Sequence, residues 1–185
     1  MKKLVYLISP NKINNNFYSD LDAVLSYGNV KFFQLRLKKV RLINILKIAY
    51  KIRKITFKYK VKFIINDNFI LASKAKADGC HMGQLDGSLK IAKKKLKNKI
   101  LGVTCHNSKI LAKNAIKEKA SYLAFGSFFK SNLKPNARKA SLNILRWAKK
   151  NTKKPIVVIG GINNLNYKRL IKFGAKYIAI SSFIW

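Results

Sequence analysis

Short apolar runs alternate with longer segments of helical period along the chain, and this alternation constrains the fold more than any other feature. Each run is rich in Val, Ile, Phe or Tyr. The eight runs are residues 4–8, 31–35, 61–65, 79–82, 100–103, 122–125, 156–159 and 177–180. Such runs, separated by helices, are typical of βα units around a parallel sheet. Eight evenly distributed units predict an α/β fold of the (β/α)8 type, a TIM barrel, rather than an open doubly wound sheet.

The segments between the runs carry the signals of amphipathic helices. Residues 41–59 place their Leu, Ile and Ala residues on one stripe and most of their Lys and Arg residues elsewhere, which indicates a helix packed on a sheet. Ser88 stands where an N-cap is expected, and so does either Asn107 or Ser108. These signals place the start of a helix after a strand-like run, as βα units require.

One TIM-barrel domain is expected to span residues 1–185, because a chain of this length fits one hydrophobic core. The chain is short for a barrel, and residues 183–185 lie where an eighth helix would begin. We therefore expect the final helix to be missing or truncated, with a loop or another subunit covering the gap.

The chain has 40 Lys and Arg residues against 6 Asp and Glu residues, giving a formal net charge of +34. Basic surfaces attract nucleic acids, anionic membranes and phosphorylated small molecules. The lysines are spread over every predicted helix, however, and no known nucleic-acid-binding motif is present. We interpret the charge as a compositional bias toward Lys, Asn and Ile, and expect no specific nucleic-acid partner.

The sequence predicts a cytoplasmic protein without a membrane span. It has no apolar run of about eighteen residues, and its N-terminal apolar stretch is too short for a signal peptide. Cys80 and Cys105 each lie inside a strand-like run, which favours buried free thiols over a disulfide or a zinc site.

Polar side chains follow the second apolar run. Gln34, Arg36 and Lys38 alternate with leucines, so all three are expected on one side of the chain. An arginine fork and a lysine point charge at a strand end suit an anionic ligand. The alternative is one more solvated basic patch.

Two of the six acidic residues also follow apolar runs. Asp67, preceded by Asn66, follows the third run, and Asp86 follows the fourth. Neighbouring strands lie side by side, so the two carboxylates could share one hard cation, for which Mg²⁺ fits best. The alternative is that each aspartate caps the following helix or pairs with a lysine.

Later strand ends carry candidate phosphate and ring contacts. Thr104 ends the fifth run, and its hydroxyl could donate to a phosphate or a ring nitrogen. Gly161 follows the seventh run, while Ser181 and Ser182 follow the eighth, where barrels commonly hold a phosphate on backbone N–H groups. Residues 130–139 are the least regular stretch and are predicted to form a mobile substrate loop.

The two histidines have different predicted roles. His106 could act as an acid or a base, or could orient a loop. His81 is predicted to be structural, because no second His or Cys stands at metal-ligand spacing.

Taken together, these segments resemble the thiamine phosphate synthase family over nearly the whole chain. The segments are QLRLK (34–38), IND (65–67), ADGCHM (77–82), GQLD (83–86), GVTCH (102–106), FGSFFKSNLK (125–134), VIGGI (158–162) and AISS (179–182). The sequence departs from the family pattern at Leu133, in a loop that usually carries two threonines, and at Lys39, where glycine often stands.

The resemblance implies a Mg²⁺-dependent transferase that joins 4-amino-2-methyl-5-hydroxymethylpyrimidine diphosphate to hydroxyethylthiazole phosphate and releases diphosphate through a pyrimidine carbocation. It implies small-molecule substrates as the partners and leaves a homodimer open. The implied roles are diphosphate stabilisation by Arg36, Lys38 and Lys134, metal binding by Asp67 and Asp86, and substrate binding by Gln34, Asn66, Thr104, Ser131, Gly161, Ser181 and Ser182.

Two other functions are compatible with parts of the sequence. A thiazole tautomerase of the same superfamily would need an acid–base residue such as His106 but no pair of acidic metal ligands, so Asp67 and Asp86 favour the synthase. A non-enzymatic nucleic-acid-binding protein on a decayed barrel is supported only by the charge.

Overall fold

The computed structural model describes residues 3–130 and 139–185. Its eight strands are β1 Val5–Ile8, β2 Val30–Leu35, β3 Lys62–Asn66, β4 Gly79–Met82, β5 Ile100–His106, β6 Tyr122–Gly126, β7 Ile156–Ile159 and β8 Tyr177–Ile180. Its helices are α1 Phe17–Ser26, α2 Leu42–Lys58, α3 Phe69–Lys74, α4 Leu89–Leu96, α5 Lys109–Lys117, α6 Leu142–Asn151 and α7 Tyr167–Lys172.

The strands are parallel, each pairs with the next along the chain, and β8 pairs with β1 to close the barrel. This confirms the predicted (β/α)8 fold. No helix in the described part of the chain is long and apolar enough to cross a membrane.

The core has two layers, because successive strand residues point to opposite faces of the sheet. The inner layer fills the barrel with large side chains, among them Tyr6, Phe32, Ile64, Tyr122 and Tyr177. The outer layer packs the helices on the sheet. Removal of this apolar surface from water is the main favourable contribution to folding. The interior is a packed core, so ligands are confined to its ends.

Helix starts follow the capping chemistry read from the sequence. The Ser88 and Ser108 hydroxyls accept hydrogen bonds from Ile91 N (3.4 Å) and Leu111 N (3.2 Å). Cys80 and Cys105 are buried free thiols, as predicted.

No α-helix follows β8 among residues 139–185. The last five residues form a turn, and Trp185 covers this side of the barrel. Its indole Nε1 donates to Ile8 O (2.6 Å), and its ring centroid lies 5.3 Å from that of Phe17. The described residues after β8 thus form a turn that packs against β1 and α1.

Candidate active site

A cavity of about 960 Å³ opens at the carboxyl ends of the strands. Loops at this end vary without disturbing the core, so (β/α)8 barrels carry their chemistry here. The cavity brings together five of the residues proposed from the sequence. They are Arg36, Thr104, Gly161, Ser181 and Ser182.

Buried Gln34 and partly buried Asn66 form an amide pair at the ends of β2 and β3. Gln34 is 3% exposed, and its Nε2 donates to Asn66 Oδ1. The adjacent strands set this contact, because Gln34 pairs with Ile64, two residues before Asn66. The Oδ1 atom of Asn66 is therefore engaged, whereas its amide N–H groups donate to no other residue within 3–130 and 139–185.

Asp67 and Asp86 lie within hydrogen-bonding reach of each other, as the pairing of β3 with β4 predicts. Asp67 takes a left-handed backbone conformation (φ 65°), and its N–H donates to His81 O (2.7 Å). Asp86 Oδ2 accepts from Gly83 N (2.6 Å), which closes the loop after β4. The backbone of Asp67 and the carboxyl group of Asp86 are thus each fixed by a hydrogen bond to the neighbouring main chain.

Neither aspartate has the structural role that was left open as an alternative. The N-cap of α3 is Asn68, whose side chain accepts from Leu71 N, and the N-cap of α4 is Ser88. In the described part of the chain, the only ion pairs are Lys58–Asp22 and Lys62–Asp78, both 3.0 Å. Asp67 and Asp86 are therefore neither helix caps nor partners of lysine in a direct ion pair.

The environment raises the pKa of Asp67 to about 6. Burial is the largest cause, and the hydrogen bond and negative charge of Asp86 act in the same direction. The nearby positive charges of Lys38 and Arg36 partly oppose this. The two carboxyl groups repel each other, and the charges of Lys38 and Arg36 offset this repulsion only in part. A divalent cation bound by both carboxyl groups would remove the repulsion.

Arg36 connects the carboxylate pair to the cavity. Its backbone N–H donates to Ser9 Oγ (3.0 Å), and its guanidinium Nη1 donates to Asn11 Oδ1 (3.4 Å). Lys38 is exposed on the same side of the site. Of these charged residues only Arg36 lines the cavity, whereas Lys38, Asp67 and Asp86 lie outside its lining. An anion at this edge of the cavity would therefore meet the guanidinium of Arg36.

At the far wall of the cavity, the backbone of Gly160 and Gly161 packs closely against residues 127–130. Gly160 and Gly161 have φ angles of +105° and +60°. A Cβ at Gly160 would lie 1.9 Å from Ser127 Oγ, and one at Gly161 would lie 2.2 Å from Lys130 O. Glycine is needed here for both reasons. Ser181 Oγ donates to Ser9 O (3.2 Å) beside this wall.

Comparison with known proteins decides the family. Residues 5–184 match the family model described as thiamine monophosphate synthase. The chain belongs to this family. Members of the family with similar sequences bear the name thiamine-phosphate synthase. The protein from Pelagibacter ubique is 57% identical over 185 residues (100% of this chain, 89% of the relative), and that from Erythrobacter litoralis is 38% identical over 186 residues (98% and 87%).

The solved structures agree with this family assignment. Thiamine phosphate pyrophosphorylase from Pyrococcus furiosus superposes with a TM-score of 0.87 at 30% identity, covering 98% of this chain and 86% of that one. The tryptophan synthase α-subunit from the same organism superposes with a TM-score of 0.71 at 11% identity, covering 98% and 89%, and shows the shared barrel fold alone.

The carboxylate pair suits the metal expected for a thiamine monophosphate synthase family member. No group of three or more His, Cys, Asp or Glu side chains that could hold a metal occurs among residues 3–130 and 139–185. A dedicated all-protein cage is therefore absent from that part of the chain. Mg²⁺ usually takes one or two carboxylates together with waters and substrate phosphates, which matches Asp67 and Asp86.

His81 is held inside the barrel, as its structural interpretation predicts. Its Nδ1 lies 2.9 Å from Tyr122 Oη, and its Nε2 lies 2.8 Å from Thr104 Oγ1. Both ring nitrogens therefore face hydroxyl groups. His106 lines the cavity with a left-handed backbone (φ 51°), after the β5–β6 register shifts between Thr104 and His106.

Sequence reasoning missed several cavity residues. Ser9 and Asn11 follow β1 and hold Arg36, and the cations Lys130 and Lys139 also line the cavity. Ser9 and Asn11 closely follow the first strand-like run, and that position alone would have predicted both at the catalytic end of the barrel. The predicted contacts Ser131 and Lys134, and most of the predicted substrate loop, lie outside the described residues.

Proposed function

We propose that this protein is a thiamine phosphate synthase that joins the pyrimidine diphosphate to the thiazole phosphate and releases diphosphate. The observation that carries the proposal is the pair formed by Asp67 and Asp86, with Arg36 and Lys38 beside it at the cavity edge. A reaction whose main demand is stabilisation of a departing polyanion needs a metal seat next to cations. The family assignment supports the same reaction class.

The diphosphate would bind at the edge of the cavity near β2. Arg36 offers a fork of N–H donors that is held by Asn11, and Lys38 adds a second positive charge. As the CH₂–O bond of the pyrimidine ionises, these groups neutralise the charge that develops on the leaving oxygen. We also assign Lys134 to this role on the basis of the sequence motif.

The pyrimidine ring would lie between β2, β3 and β5. The free amide N–H groups of Asn66, held by Gln34, can donate to the ring or to its diphosphate. Thr104 lines the cavity, and its hydroxyl is fixed by His81. Holding the ring in one orientation brings the cationic CH₂ carbon to the thiazole nitrogen, so the two substrates react without a general base.

The thiazole phosphate would bind at the far wall. Gly161, Ser181 and Ser182 line this wall, where backbone N–H groups and the serine hydroxyl groups can contact the phosphate. Ser131 is proposed as a further contact from the sequence motif. The cavity is large enough for both substrates, because ligand sites commonly occupy about 300–1,000 Å³.

Asp67 and Asp86 would hold Mg²⁺, which supplies charge neutralisation for diphosphate oxygens when bound. The raised pKa of Asp67 fits this role, since a cation removes the repulsion between the two carboxyl groups. The proposal also includes a cytoplasmic setting and partners limited to small molecules, and it leaves a homodimer open.

The direct test is to mix the purified protein with both substrates and Mg²⁺ and to detect thiamine phosphate by mass spectrometry. We expect product with Mg²⁺ and none after chelation. Absence of product over a range of Mg²⁺ concentrations would refute the proposal. Isomerisation of the thiazole phosphate without Mg²⁺ would favour a tautomerase.

A further inference from the structure

A chain of hydrogen bonds runs through the barrel interior to the cavity. Tyr6 Oη lies 2.7 Å from Tyr122 Oη, and Tyr122 Oη lies 2.9 Å from His81 Nδ1. His81 Nε2 lies 2.8 Å from the hydroxyl of Thr104, which lines the cavity. Four side chains from β1, β6, β4 and β5 are thus linked in series.

The buried end of this chain fixes the direction of its first hydrogen bond. Tyr6 is 2% exposed, and within residues 3–130 and 139–185 its hydroxyl bonds only to Tyr122. If Tyr122 donated to Tyr6, the proton of Tyr6 would be buried without an acceptor, which is unfavourable. Tyr6 therefore donates to Tyr122.

The same direction then passes along the chain. Tyr122 has one proton, which it can give to His81 Nδ1, so Nδ1 accepts. His81 in that tautomer carries its proton on Nε2 and donates to Thr104 Oγ1. The proton of Thr104 cannot point at His81 and remains available to the cavity.

Three further features support this arrangement. Burial raises the pKa of both Tyr6 and Tyr122 well above its ordinary value, so each phenol keeps its single proton. Gly102 on β5 leaves the space that Tyr122 fills, because a Cβ there would lie 2.1 Å from Tyr122 Oη. The ring of Tyr122 is also nearly parallel to that of His81, at an interplanar angle of 11°.

We propose that Tyr6, Tyr122 and His81 are positioning residues that fix the Thr104 hydroxyl as a hydrogen-bond donor toward the cavity. The matching ligand atom is an acceptor, such as an unprotonated ring nitrogen. The identity of this ligand as the aminopyrimidine rests on the proposed function, whereas the direction of the chain does not. A donor with a fixed direction selects an unprotonated ring and orients it for ionisation.

The first test is the tautomer of His81 in the intact protein, read from ¹⁵N-labelled histidine by NMR. The chain has only two histidines, so a His106→Gln variant assigns the signals. We expect Nε2 protonated and Nδ1 unprotonated. A proton on Nδ1, or on both nitrogens, would overturn the proposal. This measurement needs no substrate. It therefore tests the direction of the hydrogen bonds from Tyr6 to Thr104 independently of the proposed function.

The second test compares three Tyr→Phe variants of the barrel interior. Tyr122→Phe removes the donor to His81, and Tyr6→Phe removes the buried end that sets the direction. Tyr177→Phe is the matched control, because Tyr177 lies in the same inner layer without a hydrogen bond to the chain.

We expect Tyr122→Phe to lower kcat/KM for the pyrimidine substrate about tenfold, the equivalent of about one hydrogen bond. KM for the thiazole phosphate should not change, and the His81 signals should show a second tautomer. Tyr6→Phe should show a smaller effect of the same kind, and Tyr177→Phe should show neither. An unchanged tautomer and unchanged kinetics in a folded Tyr122→Phe variant would overturn the proposal. If that variant does not fold, the wild-type tautomer and Tyr6→Phe decide.

Discussion

Without a metal, the neighbouring carboxyl groups of Asp67 and Asp86 are in a less favourable electrostatic environment than a surface carboxylate is. Burial and mutual repulsion disfavour the double negative charge, and no direct lysine ion pair relieves it within the described residues. Such an unfavourable electrostatic environment is expected of a binding site rather than of a stabilising contact.

We expect Asp67→Asn and Asp86→Asn each to lower kcat by about a hundredfold or more, because a missing metal ligand or charge-stabilising group costs about 3 kcal/mol. Folding should be retained, since an asparagine at 86 can still accept from Gly83 N. Steady-state kinetics and circular dichroism check this. Glu118→Gln, at the C-cap of α5 and the opposite end of the barrel, is the control. Unfolding of either aspartate variant would show a structural role instead.

The stability of the metal-free protein should depend on pH through Asp67. Its folded-state pKa of about 6 lies above the ordinary value of 3.8, so the folded state binds the proton more tightly than the unfolded state. Stability from this group is present below about pH 4 and is lost as the pH rises through 6. Asp67→Asn should therefore be more stable than wild type at pH 7.5 with EDTA, by about 1 kcal/mol after allowance for partial exposure.

Urea denaturation at pH 4 and pH 7.5 measures this difference. The gain should vanish at pH 4, and Mg²⁺ should stabilise the wild type at pH 7.5 but not the variant. A variant less stable than wild type at pH 7.5 would contradict the assigned pKa shift.

At the scale of elements, the helix ends on the amino-terminal side of the barrel are unusual. Lys60, Lys76, Lys97 and Lys119 follow α2, α3, α4 and α5, and all have φ between 51° and 58°. Glycine is the usual residue in this conformation, because a side chain there is strained. Lys97 is the most extreme, with ψ of −115°.

We expect Lys97→Gly to stabilise the protein by about 1 kcal/mol, because it relieves this backbone strain. Lys94→Gly is the matched control, since it removes the same charge and adds the same residue inside α4. It should destabilise by about 1 kcal/mol. Urea denaturation midpoints of both variants check the pair, and destabilisation by Lys97→Gly would contradict the described loop conformation.

Periodicity predicted the strands well because their alternating or continuous apolar runs are buried by both core layers. Residues 79–82, 156–159 and 177–180 match β4, β7 and β8 without change. Asn163 and Asn164 are both candidate N-caps in the sequence, and either would start α7 earlier than the structure does. The Asn163 side chain instead accepts from Leu165 N and Asn166 N in a turn, and the helix begins at Tyr167. Asparagine favours such turns and caps alike, so sequence did not separate them.

At the scale of the molecule, the site was predictable only in part. Residues with a charge or a glycine at a strand end, such as Arg36 and Gly161, could be found from sequence because the barrel places strand ends together. The hydrogen bonds that link Tyr6, Tyr122 and His81 could not be predicted from the sequence. These residues lie on strands far apart in sequence and look like ordinary core residues.

The net charge of +34 should give weak, salt-sensitive attraction to nucleic acids if it is a compositional bias. We expect retention of arbitrary duplex DNA on nitrocellulose at low salt and loss of that retention at physiological salt. Tight retention at physiological salt would show that the charge has a nucleic-acid-binding role.

We propose that the cavity, Arg36 and the Asp67–Asp86 pair together perform a Mg²⁺-dependent transfer that releases diphosphate. Thiamine phosphate and diphosphate can be quantified simultaneously while Mg²⁺ is titrated into the metal-free protein with both substrates. We expect the two products to appear together in a one-to-one ratio, and only with Mg²⁺. Diphosphate without thiamine phosphate, or product that forms equally well in EDTA, would contradict it.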